Sequence, residues 1–296
     1  MNKKLPLICV VLGCLLIAAN VAAQTGDVTI KCSDVKAKGT TEVDSYAVNN
    51  AGVIAGDYLD SLGAQHGMIL VKKTLTSFDA PNGGTTIAAY GINNNNTVVG
   101  WYVDTNGVDQ GFTYANGTFT SIFYPKATGT EANGINDNGW VVGSYTDTNG
   151  NTNGFYWDTK KYHKLDVKGA TSTTVWAINN SGVMTVYTTD PSSGLPIDGY
   201  TYSKKKFTVM DPPNAANTAI HGINSNGDLD FTIFDASSNR HGVLYQAATA
   251  TYTQFDDPKG ANTTRADGIN DSDTMVGRYS PSSGTPPNVG FECTAK

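Results

Sequence analysis

The chain has 296 residues, of which only 16% are charged, and a formal net charge of −6. Its 26 acidic residues outnumber its 20 basic ones, which argues against a nucleic acid or an anionic membrane surface as the partner. Glycine is abundant, with 32 residues, and no helical period of apolar residues appears beyond residue 23, so many short strands joined by tight turns are expected.

Residues 1–23 have the pattern of a secretory signal peptide. Two lysines precede an apolar run over residues 5–19, and Val21-Ala22-Ala23 forms a small-residue cleavage site. Lipoprotein-type cleavage before Cys14 is the alternative, but it would cut inside the apolar run. No later apolar run is long enough to span a bilayer. Residues 24–296 are therefore predicted to form a single domain that is secreted, to the periplasm or the extracellular space, without insertion into a membrane.

One short motif recurs six times in this domain. It reads Gly-Ile-Asn-Asp-Asn-Gly-Trp-Val-Val-Gly over residues 134–143, and the other copies keep the same outline. All six copies share the asparagine at its third position: Asn49, Asn93, Asn136, Asn179, Asn224 and Asn270. Their spacing of 43 to 46 residues is typical of a solenoid, a propeller or an array.

Each period is predicted to contain four antiparallel strands. In the second copy they are expected at residues 88–93, 97–103, 111–114 and 118–123, separated by turns rich in Asn, Asp and Gly. Asparagine suits these turns because it tolerates left-handed backbone. Four strands per period of this length predict one propeller blade. The six copies together predict an all-β, six-bladed β-propeller of four-stranded antiparallel blades.

The sixth copy lacks a fourth strand after residues 290–293. Residues 28–35 resemble the fourth strands of the other copies, so this N-terminal strand is predicted to complete the last blade and close the ring. Cys32 and Cys293 then fall on adjacent strands as diagonal neighbours. Because an exported protein meets an oxidising compartment, they are predicted to form a disulfide after a small shift in register.

The motif, followed by Gly-Phe-x-Tyr as in residues 111–114, resembles the repeats of bacterial extracellular proteins of the HAF family. The resemblance covers nearly all of residues 24–296. It implies a secreted β-repeat protein and leaves the ligand open.

Recognised catalytic and cofactor motifs do not occur in the sequence, including His-Glu-x-x-His, Cys-x-x-Cys, the phosphate loop and Gly-x-Ser-x-Gly. No catalytic residue, metal site or cofactor is therefore predicted. Oxygen side chains alternate over residues 147–153 as at the start of a calcium loop, but the glycine stands at the fourth position instead of the sixth. These residues are expected to make turn hydrogen bonds, with calcium binding as the alternative.

The first strand of each copy carries two positions that differ between copies. Residues two and four before the motif asparagine are nearly always small, whereas those three and five before it are mostly large or polar and dissimilar. Strand side chains alternate between faces, so the dissimilar residues are predicted to share one face and to ring the mouth of the central channel. The predicted ligand-binding set is Asp44, Tyr46, Tyr90, Glu131, Asn133, Trp176, His221, Arg265 and Asp267. Packing between neighbouring blades is the alternative role for the aromatic members.

Three functions remain open from the sequence. The favoured one is a secreted, monomeric and non-catalytic module that binds a glycan or a protein, because tyrosine and tryptophan can stack on sugars. The second is an extracellular hydrolase or lyase that uses His221 with Asp267 or Glu131 as acid and base. The third is a structural surface protein with no small ligand.

Overall fold

The computed structural model describes residues 28–190, 192–281 and 287–296. These residues contain 24 strands, which form six four-stranded antiparallel sheets. The predicted six-bladed β-propeller is confirmed. The predicted signal peptide, residues 1–23, lies outside the described residues. Within these residues no helix has the length and apolarity needed to cross a lipid bilayer.

The first three blades follow one another along the chain, and each runs from an innermost to an outermost strand. The first blade consists of β2 (Thr40–Val48), β3 (Val53–Asp60), β4 (Gln65–Val71) and β5 (Thr74–Phe78). A short 3₁₀ helix, Pro81–Gly83, leads to the second blade. That blade consists of β6 (Thr85–Ile92), β7 (Val98–Val103), β8 (Asp109–Ala115) and β9 (Thr118–Ile122). The third consists of β10 (Gly129–Ile135), β11 (Val141–Thr146), β12 (Thr152–Trp157) and β13 (Tyr162–Lys164).

The fourth and fifth blades repeat this order, and the sixth combines both ends of the chain. The fourth blade consists of β14 (Thr173–Ile178), β15 (Met184–Thr189), β16 (Pro196–Ser203) and β17 (Lys206–Met210). The fifth consists of β18 (Asn217–Ile223), β19 (Leu229–Phe234), β20 (Arg240–Gln246) and β21 (Thr251–Phe255). The sixth consists of β22 (Arg265–Ile269), β23 (Thr274–Tyr279), β24 (Val289–Ala295) and, outermost, β1 (Ile30–Val35).

The N-terminal strand β1 pairs with β24, as predicted, and closes the ring. Cys32 and Cys293 form the predicted disulfide, with an S–S distance of 1.94 Å. The predicted diagonal register is wrong, because the two cysteines are directly opposed partners in the ladder. The outermost strands carry no copy of the motif, so their sequences could not define the pairing register to a single residue.

Apolar side chains form the core between neighbouring blades. The phenylalanines of the Gly-Phe pairs in β8, β12 and β24, namely Phe112, Phe155 and Phe291, are at most 1% exposed. Phe112 of the second blade, for example, packs in one cluster with Val53 and Ala55 of the first. Burial of such a side chain contributes about 1.5–3 kcal/mol relative to exposure. Each blade is thus stabilised by the blades beside it, and the innermost strands are held around one central channel.

Candidate binding site at the central channel

The six motif asparagines close one end of the channel. Each Nδ2 donates to the backbone carbonyl of the motif asparagine in the next blade at 3.0–3.2 Å, and the step from Asn270 to Asn49 completes the circle. Each Oδ1 accepts two backbone N–H groups of its own turn, such as those of Ser181 and Val183 at Asn179. Hydrogen bonding around the axis therefore explains the repeated asparagine.

Left-handed backbone, which the sequence analysis assigned to asparagine in these turns, occurs three residues after the motif asparagine. Gly139 has φ 78° and Gly182 has φ 77°, and Asn96 takes the same place in the second blade with φ 58°. Glycine is common at this position because glycine adopts a positive φ without steric cost.

The residues that follow the motif asparagines form a second ring outside the first. The backbone N–H of Asn94 donates to Asp137 Oδ1 at 2.8 Å, and that of Asp271 donates to Asn50 Oδ1 at 3.0 Å. Only a shallow space of about 80 Å³ remains between these residues. We call the two rings the asparagine end: Asn49, Asn50, Asn93, Asn94, Asn136, Asp137, Asn179, Asn180, Asn224, Ser225, Asn270 and Asp271.

A β-bulge interrupts the innermost strand of every blade at the variable position three residues before the motif asparagine. In the third blade, the register against the second strand shifts between Ala132 and Gly134, so Asn133 is the extra residue. The other five strands show a shift at the same place. A bulge re-aims the side chain it carries, so the simple alternation assumed from the sequence does not hold here. The residues at the bulges are Tyr46, Tyr90, Asn133, Trp176, His221 and Asp267.

The side chains of these six residues, which we call the plug, meet on the channel axis. The ring centroids of Tyr46 and Tyr90 are 4.7 Å apart, those of Tyr90 and Trp176 are 5.1 Å apart, and those of Trp176 and His221 are 4.9 Å apart. Tyr90 belongs to the second blade and Trp176 to the fourth, so their contact passes in front of the third blade within the channel. Five of the six plug residues are at most 6% exposed, and Tyr90 is half-buried. The aromatic rings predicted to stack on a ligand thus contact one another in edge-on and tilted arrangements.

The small residues beside the plug are needed because neighbouring blades approach closely there. A Cβ atom on Gly134 would lie 2.6 Å from the carbonyl oxygen of Trp176, and one on Gly268 would lie 2.6 Å from that of Tyr46. Both distances are far below a normal contact. Neighbouring first strands are therefore crowded at this point, and the bulge of the next blade causes the crowding.

His221 and Asp267, the predicted acid–base pair, lie within the plug. His221 is 2% exposed, its Nδ1 lies 2.6 Å from the carbonyl oxygen of Ala266, and burial, together with the charge of Arg265, lowers its pKa to about 4. Nδ1 therefore carries the hydrogen and donates it to this carbonyl. Asp267 lies 2.7 Å from Arg265 Nε and 3.6 Å from Arg278 Nη1. The pair consists of a neutral imidazole and an ion-paired carboxylate, both enclosed.

The opposite end of the channel is formed by pairs of residues that differ from blade to blade. Each residue five before the motif asparagine is directly opposed to one on the second strand, and directly opposed residues share a face of the sheet. We call these twelve residues the variable end: Asp44 with Asp57, Ala88 with Trp101, Glu131 with Ser144, Thr174 with Tyr187, Ala219 with Thr232, and Arg265 with Arg278.

The second-strand members of the variable end were missed in the sequence analysis. In four blades they directly follow the glycine that ends the motif, as Asp57, Trp101, Ser144 and Arg278 do. Their dissimilarity could have been found by aligning the six copies on this glycine. The glycine itself is needed, because a Cβ atom on Gly143 would lie 2.0 Å from the carbonyl oxygen of Glu131.

Two cavities open at the variable end, and both are lined by Tyr187 and Thr189. The first has a volume of about 180 Å³ and is lined by Asp109, Glu131 and several hydroxyl groups. Burial, together with the charge of Asp109, raises the pKa of Glu131 to about 7. This cavity is therefore acidic in character.

The second cavity has a volume of about 190 Å³ and lies against the fourth, fifth and sixth blades. Its wall includes Arg240 and Arg265, with Tyr187 and Phe234 as aromatic members. The two cavities thus present opposite charges on the two sides of Tyr187. Of the predicted ligand-binding set, Glu131 lines the first cavity, and Arg265 and His221 line the second. Glu131 and Arg265 are half-exposed, whereas His221 is only 2% exposed.

Residues 147–153 make the turn hydrogen bonds expected from the sequence. Asp147 Oδ1 accepts the backbone N–H groups of Asn149 at 2.9 Å and Asn151 at 3.0 Å. Asp104 accepts those of Asn106 and Val108 in the same way. In the part of the chain that the structure describes, no group of three or more His, Cys, Asp or Glu side chains is arranged to hold a metal ion.

The sequence matches no family model, and no curated protein sequence is significantly similar to it. Solved structures do share its fold. The lectin of Aleuria aurantia in complex with Fucα1-6GlcNAc is 10% identical, with a TM-score of 0.54 over 87% of this chain and 96% of that chain. SapL1 lectin in complex with α-methyl fucoside is 8% identical, with a TM-score of 0.53 over 86% and 93%. TolB from Acinetobacter baumannii is 11% identical, with a TM-score of 0.50, and the match covers 86% of this chain and 64% of TolB. These comparisons place the chain among six-bladed propellers by fold.

Proposed function

We propose that this protein is a non-catalytic glycan-binding module and that its ligand binds at the variable end of the channel. The observation that carries the proposal is the contrast between equivalent positions in the six blades. A ring of six identical asparagines closes one end, whereas the other end has six different pairs around two open cavities. A repeat scaffold can pack with the same residue in every blade, so dissimilar residues around a cavity, among which Glu131, Tyr187 and Arg265 are partly exposed, point to a ligand without sixfold symmetry.

Sugar is the ligand class that the cavity walls support best. Saccharides present hydroxyl groups on all sides and apolar ring faces, and the walls offer hydroxyl, carboxyl, guanidinium and aromatic groups. The propellers of the Aleuria aurantia lectin and SapL1 are solved with fucosides bound, which shows that sugar recognition is compatible with this fold. The fold alone does not assign a function, so the argument depends on the cavities.

A hydrolase remains as a second candidate because of the acidic cavity. Glu131, with a pKa raised to about 7, and Asp109 line the same space. A protonated and an ionised carboxyl group are the pair that glycoside hydrolysis uses. The predicted pair of His221 with Asp267 suits this chemistry less well, because His221 lines the second cavity but is only 2% exposed, and Asp267 is 2% exposed and paired with Arg265.

We also propose that the protein acts outside the cytoplasm. The Cys32–Cys293 disulfide is stable in an oxidising compartment. The signal pattern of residues 1–23 and the resemblance to the HAF repeat proteins support the same location.

A glycan array probed with residues 24–296 tests the proposed function. We expect hits whose signal falls in the double variant Glu131→Gln/Tyr187→Phe, which keeps the shape of both side chains. Lys160→Gln, at an exposed turn far from the channel, is the matched control and should keep the signal. Absence of any saccharide hit, or hits unchanged in the double variant, would overturn the proposal. Release of reducing ends from a bound glycan by the wild type, lost in Glu131→Gln, would replace it with the hydrolase.

A further inference from the structure

All three arginines of the chain lie in one sector of the channel. Among its 20 lysine and arginine residues, only Arg240, Arg265 and Arg278 are arginines, and they belong to the fifth and sixth blades. Arg265 and Arg278 are directly opposed partners on β22 and β23. Arg240 begins β20 and lines the same cavity as Arg265.

This concentration of positive charge is only partly neutralised. Like charges directly opposed in a sheet destabilise it, and Asp267 offsets the pair by contacting both Arg265 and Arg278. Asp44 Oδ1 lies 3.7 Å from Arg278 Nε and adds a second negative charge. These contacts supply counter-charges to Arg278 and to the Nε atom of Arg265.

Arg240 is the member of the cluster without a counter-charge. Among residues 28–190, 192–281 and 287–296, no carboxylate oxygen lies within 4.0 Å of its guanidinium nitrogens, and its guanidinium carbon lies 5.4 Å from the ring centroid of Phe234. Partial desolvation of its guanidinium group, together with the charges of Arg265 and Arg278, lowers the pKa of Arg240. The arginines at this cavity therefore carry more positive charge than the neighbouring carboxylates neutralise.

We propose that the cavity between Arg240 and Arg265 binds the anionic group of an acidic sugar, either a uronate carboxylate or a sulfate ester. This inference rests on the proposed glycan-binding function and names the class of glycan. A guanidinium binds a planar carboxylate or a sulfate through two parallel N–H donors, which a lysine cannot do. Phe234, Leu195 and Pro196 provide an apolar wall for a sugar ring, and Tyr187 provides a hydroxyl group.

The size and surroundings of the cavity favour one residue of a longer chain. Its volume of about 190 Å³ is below that of a typical pocket for a drug-sized ligand, about 300 Å³ or more. The protein as a whole carries a net charge of −6, so it repels a polyanion elsewhere. Any preference for an acidic glycan must therefore come from this local cluster.

Calorimetric titration of residues 24–296 with three oligosaccharides tests the inference: an oligogalacturonate, its fully methyl-esterified counterpart, and a sulfated galactan oligosaccharide. The ester keeps the sugar chain and removes the charge. We expect at least one of the two anionic oligosaccharides to bind about tenfold or more tightly than the ester, the size expected for a hydrogen bond to a charged group. The oligosaccharide that binds identifies the carboxylate or the sulfate as the source of the charge.

Arg240→Gln should remove this preference and leave the thermal midpoint unchanged, because the Arg240 side chain is exposed. Lys160→Gln changes the net charge equally and should retain the preference. Equal binding of the ester and both anions, or a neutral array hit with no binding of either anion, would overturn the inference and leave glycan binding in place. Binding of no saccharide in the array or the titration would overturn both. A preference that persists in Arg240→Gln would also overturn the inference.

Discussion

The two ends of the central channel are built from the same six strands, but they use their polar groups differently. At the asparagine end, every motif side chain donates to the next blade and accepts from its own turn, so the ring satisfies itself. At the variable end, the blades supply different residues, among them a carboxyl group with a raised pKa and Arg240, which forms no ion pair with any carboxylate of the described residues. Repetition in this protein serves the scaffold, and departure from repetition leaves groups that a ligand can bind.

The plug between the two ends shows that departure from repetition does not by itself mark a binding site. Its residues differ as much as those of the variable end, yet five of the six are buried, and the rings of Tyr46, Tyr90, Trp176 and His221 form a chain of contacts. Dissimilar side chains can therefore also fill the centre of a channel in which six copies of one large residue would not fit. Partly exposed side chains beside an open cavity, such as Glu131, Tyr187 and Arg265, and not dissimilarity alone, separate a candidate site from a core.

Replacement of the central plug residue should have the largest effect. Trp176→Ala removes a ring that is 6% exposed and packed between Tyr90 and His221. We expect the free energy of unfolding to fall by about 3–5 kcal/mol, as for other buried aromatic residues. Chemical denaturation measures it, and Trp176→Phe, which keeps a ring, should lose less. A stable Trp176→Ala protein that has lost saccharide binding would instead assign the plug to the site.

Removal of one asparagine from the ring should have the next largest effect. Asn179→Ala deletes the buried donor to Asn224 and the acceptor of two half-buried turn N–H groups. Each unsatisfied group costs about 1–3 kcal/mol, so a loss of about 3 kcal/mol is expected.

The neighbouring exposed residue provides the control for this change. Ser181→Ala keeps the backbone N–H that Asn179 accepts and should leave stability within about 0.5 kcal/mol. Saccharide binding should be the same in both variants. Equal stability of Asn179→Ala and Ser181→Ala would contradict the structural role of the ring.

A buried carboxyl group of the fifth blade should make stability depend on pH. Asp230 is 0% exposed and accepts the N–H of Gly222, which the bulge leaves without a ladder partner. Burial, with the nearby charge of Asp267, raises the pKa of Asp230 to about 8, so between pH 4 and pH 8 the folded protein holds a proton that the unfolded chain has released. The free energy of unfolding therefore falls as pH rises through this range.

Asp230→Asn removes this dependence because the amide keeps the acceptor and cannot ionise. The variant should equal the wild type in stability near pH 4 and become progressively more stable than it as the pH rises to 8, measured by thermal unfolding at each pH. An advantage that does not grow with pH would show that Asp230 is ionised in the folded protein.

The smallest effect is expected at the wall shared by the two cavities. Tyr187→Phe removes one hydroxyl group and should weaken binding of the best array ligand about fivefold, equivalent to about 1 kcal/mol. The thermal midpoint should change by less than that of Asn179→Ala. Tyr200→Phe, an outer tyrosine whose hydroxyl donates to Asp198, is the control and should bind like the wild type.

Blade number and ring closure could be predicted because they depend on local signals. Each Asn-rich turn marks one blade, and the Cys32–Cys293 pair marks the strands that join the ends. The bulges could not be predicted, since the extra residue is Tyr in one blade and Asp in another and has no turn signature. If the bulges are ignored, strand alternation places the residues three and five before the motif asparagine on one exposed face. The first of these positions belongs to the plug and the second to the variable end.

Arg240 could not be assigned to the site from the sequence for a different reason. It begins the third strand of its blade, whereas Arg265 begins the first strand of the next. Their meeting depends on how the fifth and sixth blades pack, which no repeat position encodes. The second-strand residues, in contrast, were within reach of the sequence, because the motif glycine precedes most of them.

The shared sixth blade also makes the chain nearly circular. Thr29 and Lys296 exchange two backbone hydrogen bonds, each 3.0 Å long, so the two ends of the described chain lie side by side. A short peptide could join them, and new ends could be placed at an exposed turn such as that of Leu62, which is 91% exposed. The starting point of the polypeptide is then a matter of gene order and not of folding. Any of the six blades could serve as the one that the two termini complete.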